Sequence, residues 1–263
     1  MLLLLARIAD AIGRTADADE ARRHAGETRD AFRKCFTNRD GLTEPTQTAA
    51  LLALHFDLLP PRLVPKVAAA LVHDIRDNRN LHLSTGFLGT PLLLPVLARI
   101  GQIDLAYDLL LQTTYPGWLY PVTQGATTMW ERWNSFTRQG GFGDIHMNSF
   151  NHYAYGAVAE WFFETIAGIC APVDAYHHFT LAPQPGHRLE HAQATFVSPY
   201  GPISSGWRRT RSRLVWDFSV PDNTTANIVL PGTPAAPLPP GLTNHDGTLT
   251  AAPGDYSITL LSP

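Results

Sequence analysis

Cysteine is almost absent: the 263 residues hold two, Cys35 and Cys170, with no CxxC pair. That excludes a disulfide framework and a thiolate metal site, and leaves two buried thiols as the expectation. An excess of positive charge is lacking as well. Lys and Arg total 20 against 23 Asp and Glu, a formal net charge of -3, so no basic field exists to hold a phosphate backbone and nucleic acid is not an expected partner. Charged residues make up 16% of the chain and aromatic ones 10%, far from a disordered composition. No run approaches the ~20 apolar residues that cross a bilayer, so no membrane partner is expected. The leucines at residues 2–5 have no cationic lead and are interrupted by Arg7 and Asp10, so they do not read as a secretory signal, which favours the cytoplasm.

What the chain does contain falls into two halves. Of the 21 prolines, 8 lie in residues 1–170 and 13 in the last 93, a break that divides the sequence into domains 1–170 and 171–263. In the first, apolar residues recur at helical spacing: Val64, Val67, Ala68, Leu71 and Ile75 form one stripe behind Pro61. Residues 2–12, 16–36, 46–59, 90–100, 105–112 and 148–169 read the same way, about seven helices joined by short punctuation as helical hairpins. In the second half, residues 179–182, 192–197, 206–208, 214–220, 225–230 and 256–261 read as strands of a small antiparallel sandwich. The Pro-rich segment 231–241 reads as a connecting loop.

The segment 116–151 is the one connection long enough to carry function. Within it Trp130, Glu131, Arg132 and Trp133 set a carboxylate between two indoles. Indole faces stack on the CH faces of sugar rings, and apolar surroundings tune a carboxyl for acid–base work. A surface Glu paired with Arg132 beside two core tryptophans explains the same four residues. His152 follows Asn148 and Ser149, either of which can cap a helix, so it is expected in the first turn of that helix, bonded to a backbone carbonyl or turned into a site. Asp144, His146 and His152 match no compact ligand spacing, so no metal is assigned. Nor is any cofactor. The lookalike of a nucleophile elbow at residues 201–206 has the wrong spacing, and the sequon at Asn223 reads as turn chemistry.

The strings GATTMWERWNSF (125–136) and MNSFNHYAYGAVAEWFFETIAGI (147–169) resemble the bacterial α-L-rhamnosidases of glycoside hydrolase family 78. TQTAALLALHFDLLP (46–60) and LSTGFLGTPLLLPVLARIG (83–101) resemble the same catalytic domain in the same order. SPYGPISSGW (198–207) and VPDNTTANIVLP (220–231) resemble its C-terminal β-domain. The resemblance implies a multidomain α-then-β chain: a partial (α/α)6 barrel of the six-hairpin glycosidase type, then an antiparallel β-sandwich. It implies an inverting hydrolase acting on a rhamnose-containing glycoside or oligosaccharide. In it Glu131 matches the general base and His152 a histidine that contacts rhamnose, while Trp130 and Trp133 line or support the pocket. Trp118 and Thr85 lie in matching strings and receive no role.

One part of the family pattern is missing. Its general acid stands in a motif rich in Asp, Arg and Glu that ends in Gly-Trp, and no such motif occurs here. Asp17, Asp19, Glu20, Glu27 and Asp30 lie on a polar helix face and read as solvated charges. Six hairpins also need twelve helices. The chain is therefore expected to be the C-terminal portion of the enzyme, inactive alone, with the missing N-terminal part of the barrel as its partner. A non-catalytic carbohydrate-binding or scaffold remnant and another α/α-barrel glycosidase are the alternatives.

Overall fold

The computed structural model describes residues 1–172 and 174–261. Its contacts divide the chain into one unit up to Leu92 and another from Leu93. The first unit begins with a helical hairpin, α1 (Leu2–Ala11) and α2 (Thr15–Phe36). Gly13 takes φ 75° beyond the end of α1, which lets the Arg14 amide donate to Ala9 O and the Gly13 amide to Asp10 O. This is a Schellman closure, open to glycine because a Cβ is strained at that φ. Ala6 and Ala9 of α1 cluster with Ala18 and Ala21 of α2, so only methyl groups separate the two backbones. The outer face of α2 carries exposed ion pairs such as Arg14 with Asp17, Arg22 with Asp19 and Arg23 with Glu27. Water screens pairs of this kind, and the early carboxylates are the solvated charges expected. Cys35 is exposed on this helix, which corrects the expectation of two buried thiols: α2 buries only Ala18 and Ala21.

Helix α3 (Gln47–His55) starts at Thr46, whose hydroxyl accepts from the Ala49 amide at 3.1 Å. Helix α4 (Val64–His73) runs on into a wide turn, Asp74–Asn78. Val67, Leu71 and Ile75 bury as the stripe requires, while Val64 stays partly exposed.

Helices α5 (Thr90–Arg99), α6 (Ile103–Leu110) and α7 (Leu119–Thr123) follow. Gly101, at φ 75°, closes α5 as Gly13 closes α1. The long segment is not all loop, since β1 (Phe136–Thr137) and β2 (Gly141–Phe142) form a hairpin within it. The expected helix over 148–169 is broken. A 3-10 turn (Ala154–Ala157), a single α turn, α8 (Val158–Trp161), and a wide turn (Phe162–Ile166) replace it. Its first residues are drawn instead into pairing with the segment around Glu131.

Two sheets complete the second unit. One orders β3 (Ile169–Cys170), β4 (His178–Leu181), β8 (Thr225–Ile228), β10 (Thr248–Ala251) and β9 (Leu242–His245). The other orders β11 (Gly254–Leu261), β7 (Arg213–Val220), β6 (Gly201–Arg209) and β5 (His191–Ser198). Pairing is antiparallel except between β4 and β8. Alternate residues bury on each: Phe179 and Leu181, Ala226 and Ile228, Leu214, Trp216 and Phe218, Tyr256, Ile258 and Leu260. The loop over 231–241 lies along the free edge of β11, where the Leu261 amide donates to Thr233 O and the Ala235 amide to Thr259 O. An otherwise open edge is thereby closed.

The last helical turn is locked to the sheets by buried polar bonds. Trp207 Nε1 donates to Ile166 O at 2.7 Å, and Ser205 donates to Ala167 O while accepting from Trp216 Nε1 at 3.0 Å. Glu164 sits on this turn. Burial, and after it the Glu160 carboxylate, push its carboxyl above the ordinary 4.5, against a bond from the Ala171 backbone. Folding therefore prefers the protonated acid: the contribution to stability is full below that ordinary value and is lost as pH rises through the raised one. A Glu164→Gln variant is expected to melt above the parent at pH 7, with the gap closing at pH 4. Equal melting temperatures at pH 7 would count against it.

Candidate functional site

The residues singled out around Glu131 and His152 lie in two stretches some twenty positions apart, and hydrogen bonds bring those stretches side by side. The Glu131 amide donates to Ser149 O at 2.9 Å, and the Ser149 amide donates back to Glu131 Oε2 at 2.8 Å. The His152 amide donates to Met129 O at 2.9 Å, and the Thr128 hydroxyl donates to Phe150 O. Residues 128–131 and 149–152 thus form a short irregular ladder. Glu131 is half-buried within it. Among the described residues it pairs with no cation, so the surface ion pair with Arg132 is not formed, and only its Oε2 is used by Ser149.

His152 does not occupy the first turn of a helix, and neither Asn148 nor Ser149 caps one. The 3-10 turn begins two residues later, and the Ala154 amide donates to His152 Nδ1 at 3.2 Å. In that bond Nδ1 is the acceptor. The reason is the ladder: Ser149 amide and carbonyl are both committed to Glu131, which keeps 149–152 out of a helix. The His152 ring stacks on Tyr153 with centroids 5.4 Å apart.

Trp130 and Trp133 are both buried, in separate aromatic groups. Trp130 stands edge-on to Phe150, which stands edge-on to Phe142 of the hairpin. Trp133 is stacked on Tyr155 at 3.8 Å and edge-on to Trp118, whose Nε1 donates to Tyr155 O. One face of the Trp133 indole is therefore covered by protein. Burial pushes the Tyr155 phenol above its ordinary range. Beneath Glu131, Ser135 Oγ accepts from the Arg132 amide, and Ser135 O accepts from Asn148 Nδ2 and the Gly143 amide. Thr85, in the first unit, is buried with its hydroxyl 2.8 Å from that of Thr90. Sequence reasoning missed Ser149 and Tyr155 as partners of the site. Both stand inside the string 147–169, but its helical periodicity masked their roles.

Residues 1–166 match the bacterial alpha-L-rhamnosidase 6 hairpin glycosidase domain, and residues 168–240 the bacterial alpha-L-rhamnosidase C-terminal domain. The chain belongs to the bacterial α-L-rhamnosidase family. An α-L-rhamnosidase of Streptomyces avermitilis is 47% identical over 204 residues, which are 77% of this chain and 20% of that protein. One of Formosa agariphila is 50% identical over 187 residues, 71% of this chain and 20% of that protein. The chain thus spans about a fifth of the length of the curated α-L-rhamnosidases it matches. The crystal structure of the Streptomyces avermitilis α-L-rhamnosidase complexed with L-rhamnose superimposes with TM-score 0.86 at 41% identity, covering 97% of this chain and 25% of that one. That of the Aspergillus terreus enzyme gives 0.88 at 30% identity, covering 98% and 29%. The family and the fold class read from the strings at 125–136 and 147–169 are those found: helices of the six-hairpin glycosidase domain, then sheets of a C-terminal domain.

Proposed function

We propose that this chain is the C-terminal part of an inverting α-L-rhamnosidase, with residues 1–170 as the later half of its barrel and 171–263 as the trailing β-domain. Its substrate is a rhamnose-containing glycoside or oligosaccharide. The observation that carries the site assignment is the ladder joining 128–131 to 149–152, which fixes Glu131 and His152 on neighbouring backbones. Glu131 is the general base. It takes a proton from water as the water oxygen bonds to the anomeric carbon, while the bond to the aglycone oxygen breaks and an acid protonates that oxygen. Inversion follows because water arrives opposite the leaving group, which requires the two carboxyl groups to stand ~6.5–9.5 Å apart. His152 contacts the sugar. Trp130 supports the site through Phe150, and Trp133 through Tyr155 and Trp118.

The acid belongs to the part of the enzyme outside this chain. Exposed ion pairing of Asp17, Asp19 and Glu27 supports this, since these carboxylates face solvent beside Arg side chains and not an apolar pocket. A partner in the N-terminal part of the barrel is supported by α1 and the residue that follows it, where Leu3, Leu4, Leu5, Ile8 and then Ile12 are each at least half exposed. The purified chain is expected to bind hydrophobic dyes and to give negligible turnover of an aryl α-L-rhamnoside, because loss of either carboxylate role costs ~10²–10⁴ in rate. Ordinary turnover by the chain alone would overturn the placing of the acid.

A further inference from the structure

One group of side chains away from residues 128–152 turns its donor atoms to a common point. Asp174 and His177 stand in the turn that enters β4, and His178 is the first residue of that strand. One donor atom from each lies within 4.8 Å of the others. His178 Nδ1 is 2.9 Å from Asp174 Oδ2 and 3.1 Å from His177 Nδ1. An ion with bonds of ~2.0–2.1 Å holds adjacent donors ~2.9 Å apart at right angles and ~3.4 Å apart at the tetrahedral angle. Both contacts are therefore already at the bite of a chelate.

The two short contacts each need a proton or a cation between the lone pairs. A single proton on His178 Nδ1 can serve Asp174 Oδ2 and His177 Nδ1 as its two acceptors, and a cation can replace that proton while bonding all three. We propose that Asp174, His177 and His178 bind a divalent transition-metal ion of the Zn2+ class. Two imidazoles and one carboxylate suit Zn2+, Ni2+ or Cu2+, whereas Mg2+ and Ca2+ require oxygen donors. The three side chains are exposed, so the ion arrives from solvent and water completes its coordination.

The backbone beneath the group is anchored. His177 O accepts from the Thr225 amide of β8 at 3.1 Å, the His178 amide donates to Asp174 Oδ2 at 3.2 Å, and β4 runs between β3 and β8 inside its sheet. Convergence comes from Ala175 and Tyr176, at φ 54° and 72°, which turn the chain so that Asp174 faces the two histidines. Nothing in the spacing Asp-x-x-His-His announces a site, and its donors meet only through this turn. Bound metal would hold that turn onto β4. The proposal does not depend on the rhamnosidase reading.

Equilibrium dialysis of the full chain against Zn2+ alone, at neutral pH, tests it. The His177→Gln/His178→Gln variant is expected to retain one equivalent less than the parent, and Asp174→Asn to weaken binding of that equivalent at least ~10-fold. His73→Gln removes a histidine paired with Asp77 elsewhere on the surface and is expected to bind as the parent does. Equal zinc content in the parent and the double variant overturns the proposal, as does an equal loss in His73→Gln. Circular dichroism verifies folding, and Asp174→Asn provides the reading should the double variant unfold.

Discussion

Replacing Glu131 by Gln, in the enzyme completed by its N-terminal part, is expected to lower kcat on an aryl α-L-rhamnoside by ~10³-fold with little change in KM. General base catalysis contributes ~10²–10⁴, and Gln cannot take the proton from water. The substitution is a fair test because it leaves the local structure its main bond. A Gln carbonyl oxygen accepts from the Ser149 amide where Glu131 Oε2 does now, and the backbone bond from the Glu131 amide to Ser149 O is untouched. A purely structural Glu131, needed only to hold residues 149–152, predicts near-parental kcat for Gln and a loss for Ala. Turnover within threefold of the parent, with the fold intact, would falsify the base assignment.

Gly168→Ala is expected to destabilise the protein by at least ~4 kcal/mol, among the largest effects available to one methyl group. Two independent costs combine. Gly168 has φ 77°, in the left-handed region where a Cβ is strained. A Cβ there would also lie 2.1 Å from Pro183 N and 2.4 Å from Ala182 C, and these are backbone atoms that no rotamer change can move. Backing away breaks the bond from the Ala182 amide to Gly168 O and disturbs Ala167 and Ile166, whose carbonyls receive Ser205 and Trp207. Gly26→Ala is the contrast. Its Cβ would meet nothing within 4 Å in the interior of α2, so the same substitution is expected to stabilise by ~0.5–1 kcal/mol. Urea unfolding of both variants provides the check, and a Gly168→Ala midpoint equal to the parent's would rule out the clash.

Helices with a persistent apolar stripe were legible because burial repeats every third or fourth residue along them. The residues 2–12, 16–36 and 90–100 stand as α1, α2 and α5 within a residue or two. Strands of the sandwich were legible for the same reason at period two. The hairpin of β9 and β10 was overlooked although its signal is present: Asp246 and Gly247, at φ 49° and 83°, make the two-residue turn that such a pair favours. Its flanks, 242–245 and 248–251, alternate too weakly in hydrophobicity to stand out. Segment 148–169 misled for the opposite reason, since its apolar period is helical but its first residues are spoken for by Glu131.

Family, fold class and the order of helices before sheets were all present in the chain's own strings and periodicities, because each of these is written in residues close together in sequence. The working geometry was not. Glu131 meets Ser149 across 18 positions, Trp207 meets Ile166 across 41, and Asp174 meets His178 only because two residues between them adopt positive φ. Such contacts depend on the path of the intervening chain, and that path is settled by which buried groups find partners once the whole unit packs.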